Sequence, residues 1–309
     1  MVLNMTPVSR TDVSCNWEIG KHDPRTRFDG RAQRRRDVLM TSCVVDQTQI
    51  AAGFVQARLR ARPLDAFPGP IPATLDAAYR CQDLAIALWP DRIAGWKVGR
   101  INPPDDTVFQ TERLAGPIFS RTIQNVALGA PRRVPVITGG FAAVEAEFIF
   151  AIGQDAPPEK FEWTLAEATD LVAEVHIGIE MAGSPLSTIN DLGPLVIASD
   201  FGNNAGLLVG PAASGWRRRP TTEWLCETII DGVSVGRGAV DELPGGPFEA
   251  IRFIAQHAAR RGRPLTAGDL ISTGAVTGVH DIRVGQTAVV RFQGLGDLVC
   301  QATRAEPSD

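Results

Sequence analysis

Two glutamates separated by one residue, Glu145 and Glu147, are the side chains in this sequence that most suggest metal chemistry. They lie in residues 142–150, which follow a lead-in rich in proline and glycine and whose pattern predicts a β-strand. Residues two apart on a strand face the same side, so we expect the two carboxylates to lie together. Neighbouring carboxylates repel each other, and a hard divalent cation between them would make the arrangement useful. An isolated pair is more often the water-exposed face of an edge strand, so the metal interpretation needs support from other stretches.

Two further predicted strands carry charged residues that would suit a metal site. Lys97 lies inside residues 95–99, between glycines. Two interpretations stay open for it: a lysine whose stem covers apolar surface, or an ammonium group beside an anionic site. A later strand over residues 175–180 ends in a third acid, Glu180. His176 in that strand is expected to be an ordinary strand residue, because hard cations favour oxygen ligands.

Small and amide-bearing residues cluster in residues 198–206, which include Asp200, Asn203 and Asn204. Their side chains predict a turn held by local hydrogen bonds. The same groups would also suit recognition of an anion, and the residues alone leave both interpretations open.

Composition limits the classes of partner. The chain has 309 residues, 44% hydrophobic and 21% charged, with a net charge of −4, which is typical of a soluble globular protein. This charge gives no basic field, and no apolar run approaches the ~20 residues of a membrane span, so nucleic acid and membranes are not expected partners. The cysteines are scattered without a C-x-x-C pair, which is typical of a reducing cytoplasm; they are Cys15, Cys43, Cys81, Cys226 and Cys300.

The chain divides by composition into three predicted parts. Residues 1–39 are rich in arginine with little apolar periodicity, and we expect a disordered extension preceding a natural start at Met40. Residues 40–128 are expected to form a small N-terminal α/β part, with a helix capped by Asp46. Glycine and proline near residue 129 predict a boundary, and residues 129–309 are predicted to form many short strands, typical of a β-sandwich, roll or barrel-like core. Three further helices are predicted to begin at Thr74, Thr164 and Pro247.

An ordered set of short motifs extends from about residue 45 to the C-terminus. They are Ala78-Tyr79-x-x-Gln82, Gly95-Trp96-Lys97-Val98-Gly99, Gly116-Pro117-Ile118-Phe119, Val144-Glu145-Ala146-Glu147, Ile179-Glu180, Ser199-Asp200 with Asn203-Asn204, Leu265-Thr266-Ala267-Gly268-Asp269, Ser272-Thr273-Gly274 and Gly294-Leu295-Gly296. In order and spacing, the chain resembles the fumarylacetoacetate hydrolase superfamily, and within it the 2-keto-4-pentenoate hydratase and 2-oxo-3-hexenedioate decarboxylase branch.

The resemblance implies an α+β fold, with a mixed β-sandwich or roll catalytic core of fumarylacetoacetate hydrolase type and a smaller N-terminal α/β part. It implies Mg²⁺ or Mn²⁺ held by Glu145, Glu147 and Glu180, with open positions for a 2-oxo acid. Lys97 is then expected near the substrate as a proton donor or charge stabiliser, and burial is expected to let it titrate low enough for acid–base work.

The resemblance also assigns the cluster around Asp200. Asp200 is expected to be catalytic, either orienting the substrate carboxylate or supporting the metal. Asn203, Asn204 and Thr273 are expected to bind the substrate, together with Lys97.

The implied activity is a hydro-lyase that adds water to a 2-hydroxydienoate or 2-oxo-alkenoate in aromatic meta-cleavage catabolism, in a cytoplasmic homo-oligomer. The chain departs from the family pattern in carrying Leu114 where relatives have an acid, and in the sequence of the turn after Asp200, so the substrate stays open. Alternatives are a 2-oxo-3-hexenedioate (4-oxalocrotonate) decarboxylase, an acylpyruvate-type C–C hydrolase, or a noncatalytic partner subunit, including one in complex with a related decarboxylase. The C–C hydrolase needs a His–Glu pair, and His280 is expected to be a loop residue instead.

Overall fold

A computed structural model describes the backbone of residues 30–308 and the side chains of residues 45–308. The first helix, α1, spans Gly30–Leu59, so Asp46 lies inside it and not at its N-terminus as predicted. The helix also begins within the stretch expected to lack structure, and the rest of that stretch, residues 1–29, lies outside the described residues. Val44–Asp309 form one compact unit. None of the described helices is long and apolar enough to cross a membrane.

Five more helices follow, and their starts agree with the local sequence signals. They are α2 (Leu75–Leu88), α3 (Asp105–Phe109), α4 (Leu165–Asp170), α5 (Pro194–Ser199) and α6 (Pro247–Arg260). The predicted caps Thr74 and Thr164 accept hydrogen bonds from Ala77 and Glu167 backbone nitrogens, and α6 begins at Pro247 as predicted. Helix α4 is short because the chain enters a strand at Val172.

The strands form two sheets. They are β1 (Ile93–Arg100), β2 (Arg113–Phe119), β3 (Ile123–Asn125), β4 (Pro131–Val136), β5 (Phe141–Ile152), β6 (Val172–Ser184), β7 (Asn204–Ala212), β8 (Leu225–Ile230), β9 (Val233–Ala239), β10 (Leu270–Ser272), β11 (His280–Asp281), β12 (Thr287–Phe292) and β13 (Gly296–Arg304). The larger sheet has the order β2-β1-β10-β5-β6-β7-β3, with β11 paired to β5, and the smaller has the order β4-β13-β12-β8-β9. The predicted α+β class with a β-rich core is confirmed.

The predicted boundary near residue 128 does not separate two folding units. Strands β1, β2 and β3 precede it in sequence, yet they belong to the larger sheet with strands that follow it. The glycine and proline residues after Leu128 instead mark the point where the chain leaves β3 in one sheet and enters β4 in the other.

The main core fixes which face of β5 points away from it. Val144, Ala146, Phe148 and Phe150 are fully buried in one cluster with residues of the smaller sheet, including Phe292. The Phe148 ring lies 5.4 Å from the Phe292 ring, centroid to centroid. Since side chains alternate along a strand, the intervening residues must face the opposite side.

Candidate metal centre

Three carboxylates meet on that opposite face. Strands β5 and β6 are antiparallel, with Glu145 directly opposite Glu180, and Glu147 lies two residues further along β5. One oxygen from each carboxylate lies within 4.8 Å of the others. Glu147 and Glu180 are 0% exposed and Glu145 is 4% exposed. The sequence prediction that both acids of β5 share a face is confirmed, but the face is buried and not open to water.

Hydrogen bonds orient two of the three carboxylates. Glu147 Oε2 accepts from the backbone nitrogen of Gly274 at 2.8 Å. The Asn204 side-chain amide donates to Glu180 Oε1 at 3.0 Å, and the Ser272 hydroxyl donates to Glu180 Oε2 at 3.0 Å. These bonds restrain Glu147 and Glu180 while one oxygen of each acid stays within 4.8 Å of the others.

The electrostatics of the cluster suit a divalent cation. Burial, opposed by Lys97 and reinforced by Glu180, raises the pKa of Glu145 to about 7. Burial, with Glu180 and Glu145 adding to it, raises the pKa of Glu147 well above its ordinary value. Three ionised carboxylates beside one ammonium leave two negative charges unbalanced, which is costly in a buried site. Glu147 Oε1 is buried and has no hydrogen-bond partner among the described residues, as expected for a metal ligand atom. The residues therefore fit a hard divalent ion.

Lys97 lies beside this cluster on β1 and is 4% exposed. Its Nζ is 3.5 Å from Glu180 Oε1 and donates a hydrogen bond to Asn203 Oδ1 at 3.2 Å. Burial acts to lower the pKa of Lys97, but the charges of Glu180, Glu145 and Glu147 outweigh it, and the pKa is raised. In this metal-free arrangement the three carboxylates favour the ammonium form of Lys97, which is opposite to the effect of burial alone.

Residues 200–204, hereafter the amide turn, hold a strained backbone. Phe201 and Asn203 have φ angles of 51° and 56°, in the left-handed region that non-glycine residues rarely adopt. The turn packs against β2, where a Cβ added to Gly116 would lie 1.9 Å from the Phe201 carbonyl oxygen. Only glycine fits there, which explains Gly116 in its motif.

The predicted site residues of the amide turn have different positions from those expected. Asp200 is 0% exposed, does not line the cavity described below, and has both carboxylate oxygens bonded to Arg58. The predicted contact of Asp200 with the substrate carboxylate therefore has no support in this arrangement, and its predicted role in supporting the metal stays a prediction. Asn204 donates to Glu180 and does not line the cavity, so its predicted substrate contact has no support in this arrangement either. Asn203 does line the cavity and contacts Lys97.

A cavity of about 640 Å³ opens onto the cluster. Lys97, Glu145, Asn203 and Thr273 line it, so the structure brings these predicted residues together. The Thr273 hydroxyl donates to the Phe148 carbonyl oxygen at 3.2 Å. The remaining polar side chains on the wall include Arg100, Asn102, Asp105, Glu112, Arg113, Asn190 and Glu242.

Two histidines considered in the sequence belong neither to the carboxylate cluster nor to the cavity wall. His176 is in β6 and contacts the Gly210 carbonyl oxygen and Glu174, as expected of an ordinary strand residue. His280 is in the short strand β11 and not in a loop, and its Nε2 lies 2.8 Å from the Thr277 carbonyl oxygen. Among the described residues, no histidine lines the cavity.

Sequence reasoning missed Arg58, Ser184 and Asn190. Arg58 contacts Asp200 across 142 positions of the chain, and Ser184 contacts it across 16. Asn190 accepts a hydrogen bond from the Asn203 amide at 3.3 Å. No local pattern marks these residues, because their partners are set by the tertiary fold.

Comparison with known proteins places the fold in a described family. Residues 105–303 match the family model described as "Fumarylacetoacetate (FAA) hydrolase C-terminal". A 2-keto-4-pentenoate hydratase of Paraburkholderia xenovorans is 25% identical over 259 residues, 81% of this chain and 92% of that protein. A second, from Paraburkholderia phymatum, is 25% identical over 208 residues, 67% and 77% of the two chains.

Solved structures share the fold. The 4-oxalocrotonate decarboxylase from Pseudomonas putida G7, complexed with magnesium and adipate, superimposes with a TM-score of 0.68 over 90% of this chain and 100% of that chain, at 20% identity. Fumarylpyruvate hydrolase from Pseudomonas aeruginosa, in complex with Mn²⁺ and pyruvate, has a TM-score of 0.51 at 19% identity and covers 70% of this chain and 91% of that chain. At these identities the likeness establishes the fold alone.

Proposed function

Because this chain belongs to the fumarylacetoacetate hydrolase family, we propose that it is a metal-dependent hydro-lyase adding water to a 2-hydroxydienoate or 2-oxo-alkenoate. The observation that carries the proposal is the buried cluster of Glu145, Glu147 and Glu180 beside Lys97, at the wall of a polar cavity. The relatives of similar length named 2-keto-4-pentenoate hydratase support the reaction type.

The cofactor of the proposal is Mg²⁺ or Mn²⁺, held by Glu145, Glu147 and Glu180. The unpartnered Glu147 Oε1 supports this assignment, as do the magnesium and Mn²⁺ named with the two structural neighbours. A divalent cation in such a site supplies Lewis-acid polarisation of a 2-oxo acid and of the negative charge that develops on its 2-oxygen.

The chain's own residues have the following proposed roles. Lys97, held as an ammonium ion, stabilises negative charge on the substrate oxygens and donates a hydrogen bond to them. Asn203 fixes the direction of Lys97 Nζ through its 3.2 Å hydrogen bond. Thr273 and Asn190, both on the cavity wall, orient the substrate carboxylate. Water enters through the same cavity and adds to the distal alkene carbon.

Decarboxylation of 2-oxo-3-hexenedioate is the second candidate. Its substrate has a second carboxylate, and Arg100 and Arg113 line the cavity that would receive it. The Arg113 side chain is 11% exposed, so an anion there would meet a largely desolvated guanidinium. An acylpyruvate-type C–C hydrolase is less well supported, since among the described residues no histidine is available on the cavity wall to activate water.

The test is turnover of freshly prepared 2-hydroxypenta-2,4-dienoate and 2-oxo-3-hexenedioate, with Mg²⁺ and with EDTA, and with products resolved by mass. We expect the dienoate to gain one water in Mg²⁺ and to remain unchanged in EDTA. Loss of CO₂ from the diacid without hydration of the dienoate would establish the decarboxylase. A protein that turns over neither compound and binds no metal would be a noncatalytic subunit.

Location and assembly stay predictions. We propose a cytoplasmic homo-oligomer, with a complex with a related decarboxylase as the alternative. Light scattering of the purified protein at several concentrations measures the oligomer mass, and a monomer at all concentrations would contradict it.

A further inference from the structure

Arg58, near the end of α1, donates hydrogen bonds to the amide turn from all three nitrogens of its guanidinium group. Its Nε donates to Asp200 Oδ1 at 2.6 Å and its Nη2 donates to Asp200 Oδ2 at 3.0 Å, a bidentate pair. Its Nη1 donates to the Asn204 carbonyl oxygen at 3.1 Å, and its Nη2 also donates to the Gly183 carbonyl oxygen at 2.8 Å. The side chains of Arg58 and Asp200 are 9% and 0% exposed, so both charges are buried and each depends on the other.

The environment of this pair restrains the turn further. The Ser184 hydroxyl donates to Asp200 Oδ2 at 2.6 Å, so both carboxylate oxygens are fixed. The Arg58 guanidinium lies 5.2 Å from the centre of the Phe201 ring, which in turn packs edge-on against Phe119. These contacts hold the left-handed φ angles of the turn, a conformation that costs ~1–3 kcal/mol for each non-glycine residue and needs such support.

The amide turn carries two side chains that contact the metal centre or Lys97. Asn204 donates to Glu180 Oε1, and Asn203 accepts from Lys97 Nζ. A shift of the turn would therefore move a proposed metal ligand and the proposed charge stabiliser together. Arg58 lies outside residues 105–303, the segment that matches the family model.

We propose that Arg58 is a positioning residue for the metal centre: through Asp200 and the Asn204 carbonyl it holds the amide turn, and through the turn it sets Glu180 and Lys97. The inference rests on the metal centre of the proposed function. On this inference, Asp200 is the buried counter-charge of Arg58. Helix α1 then contributes a residue that positions the metal centre.

The experiment compares the full-length proteins Arg58→Lys, Ser184→Ala and the control Arg60→Lys. Lysine keeps the positive charge that Asp200 needs. It cannot make the bidentate contact with Asp200 or donate to both the Asn204 and the Gly183 carbonyl oxygens. Ser184→Ala removes one bond to Asp200 and leaves the charge pair in place. Arg60 lies two positions beyond Arg58 and is exposed, so the same substitution there tests for an unspecific effect.

The first readout is the Mn²⁺ dissociation constant, measured by electron paramagnetic resonance without substrate. Loss of contacts outside the ligand set typically weakens metal binding by roughly 10- to 100-fold, and we expect an increase of at least about tenfold for Arg58→Lys. We expect a smaller increase for Ser184→Ala and none for Arg60→Lys. The second readout, at saturating Mn²⁺, is a fall in kcat of about tenfold or more with KM changed by less than about threefold, because Lys97 acts on developing charge.

An unchanged Mn²⁺ dissociation constant and kcat in Arg58→Lys, with only a lower melting temperature, would make Arg58 a residue of fold stability alone. If Arg58→Lys does not fold, Ser184→Ala decides, and unaltered Mn²⁺ affinity in it overturns the inference. A wild-type protein that binds no Mn²⁺ would refute the proposed metal centre itself. A wild-type protein that binds Mn²⁺, with variants equal to it, would refute the positioning role only.

Discussion

Replacing Glu147 with glutamine should stabilise the metal-free protein at high pH while removing its response to metal. Glutamine has nearly the shape of glutamate and can still accept the hydrogen bond from the Gly274 backbone nitrogen. It removes one of three carboxylates that are buried within 4.8 Å of one another. Without a cation, those charges repel each other and lack water, so the metal-free cluster opposes folding whenever it is ionised.

The magnitude follows from the pKa of Glu145. Its rise from 4.5 to about 7 corresponds to roughly 3 kcal/mol of unfolding free energy, at about 1.4 kcal/mol per pH unit. Because the folded pKa exceeds the unfolded value, this stability is present below pH ~4.5 and is lost as the pH rises through ~7. Glu147, whose pKa is raised further by burial and by Glu180 and Glu145, acts in the same direction.

The assay is urea unfolding of wild type and Glu147→Gln at pH 5.5 and pH 8, in EDTA and in Mg²⁺. In EDTA, wild type should lose about 2–3 kcal/mol between the two pH values, and the variant less. At pH 8 in EDTA the variant should exceed wild type by about 1 kcal/mol or more. Saturating Mg²⁺ should stabilise wild type by ~3 kcal/mol at 100 times its dissociation constant, and should leave the variant nearly unchanged.

A matched substitution at Glu174 controls for the loss of a negative charge. Its side chain is 62% exposed on β6, in the same sheet, and Glu174→Gln should change stability by less than about 0.5 kcal/mol in every condition. A metal-free Glu147→Gln protein that is less stable than wild type at pH 8 would refute the reasoning. So would a wild-type protein in EDTA that gains stability between pH 5.5 and pH 8.

Three further predictions concern the surroundings of the cluster. Lys97→Met should lower kcat by roughly 10²–10³-fold, as for loss of a charge-stabilising donor, while Mn²⁺ titration shows that metal still binds. Gly116→Ala should destabilise the protein by about 2–4 kcal/mol in urea unfolding, since its Cβ would lie 1.9 Å from the Phe201 carbonyl oxygen; an unchanged midpoint would contradict this contact. Arg113→Gln should lower kcat/KM for the diacid by roughly tenfold or more and leave the dienoate unaffected, and equal losses for both substrates would exclude a role in binding the distal carboxylate.

The sequence alone predicts that Glu145 and Glu147 share a face, but it does not predict the residues that contact and position the site. Alternation along β5 placed Glu145 and Glu147 on one face, because the period of a strand depends only on local geometry. The same reasoning could not show that this face is buried, because its contacts come from distant parts of the chain, such as Lys97, Asn204 and Gly274. The role of Asp200 follows only from the resemblance, because an acid in a polar turn has the same local sequence whether it contacts substrate or a buried arginine. Only the fold brings Arg58 to it.

The direction of the Lys97 pKa shift shows a similar limit. Burial alone lowers the pKa of a lysine, and the sequence suggested burial. The sign reverses because Glu180 lies 3.5 Å away and Glu145 and Glu147 contribute as well, and these distances exist only in the folded sheet. The pKa of a buried group is therefore set by its partners across the sheet, and a motif of five residues does not contain them.

The acids and Lys97 differ from other residues of the cavity wall in the kind of element that carries them. The acids and Lys97 project from β1, β5 and β6, inside the larger sheet, where backbone pairing fixes their positions. Other residues of the cavity wall, such as Asn102 and Glu112, lie in connections between strands and helices. Connections vary in length and conformation at little cost to the fold, so the chemistry of the substrate's distal end can change while the metal cluster stays in place. Hydration and decarboxylation on one fold would then differ at the wall formed by these connections, which is where variants that separate the two activities should be made.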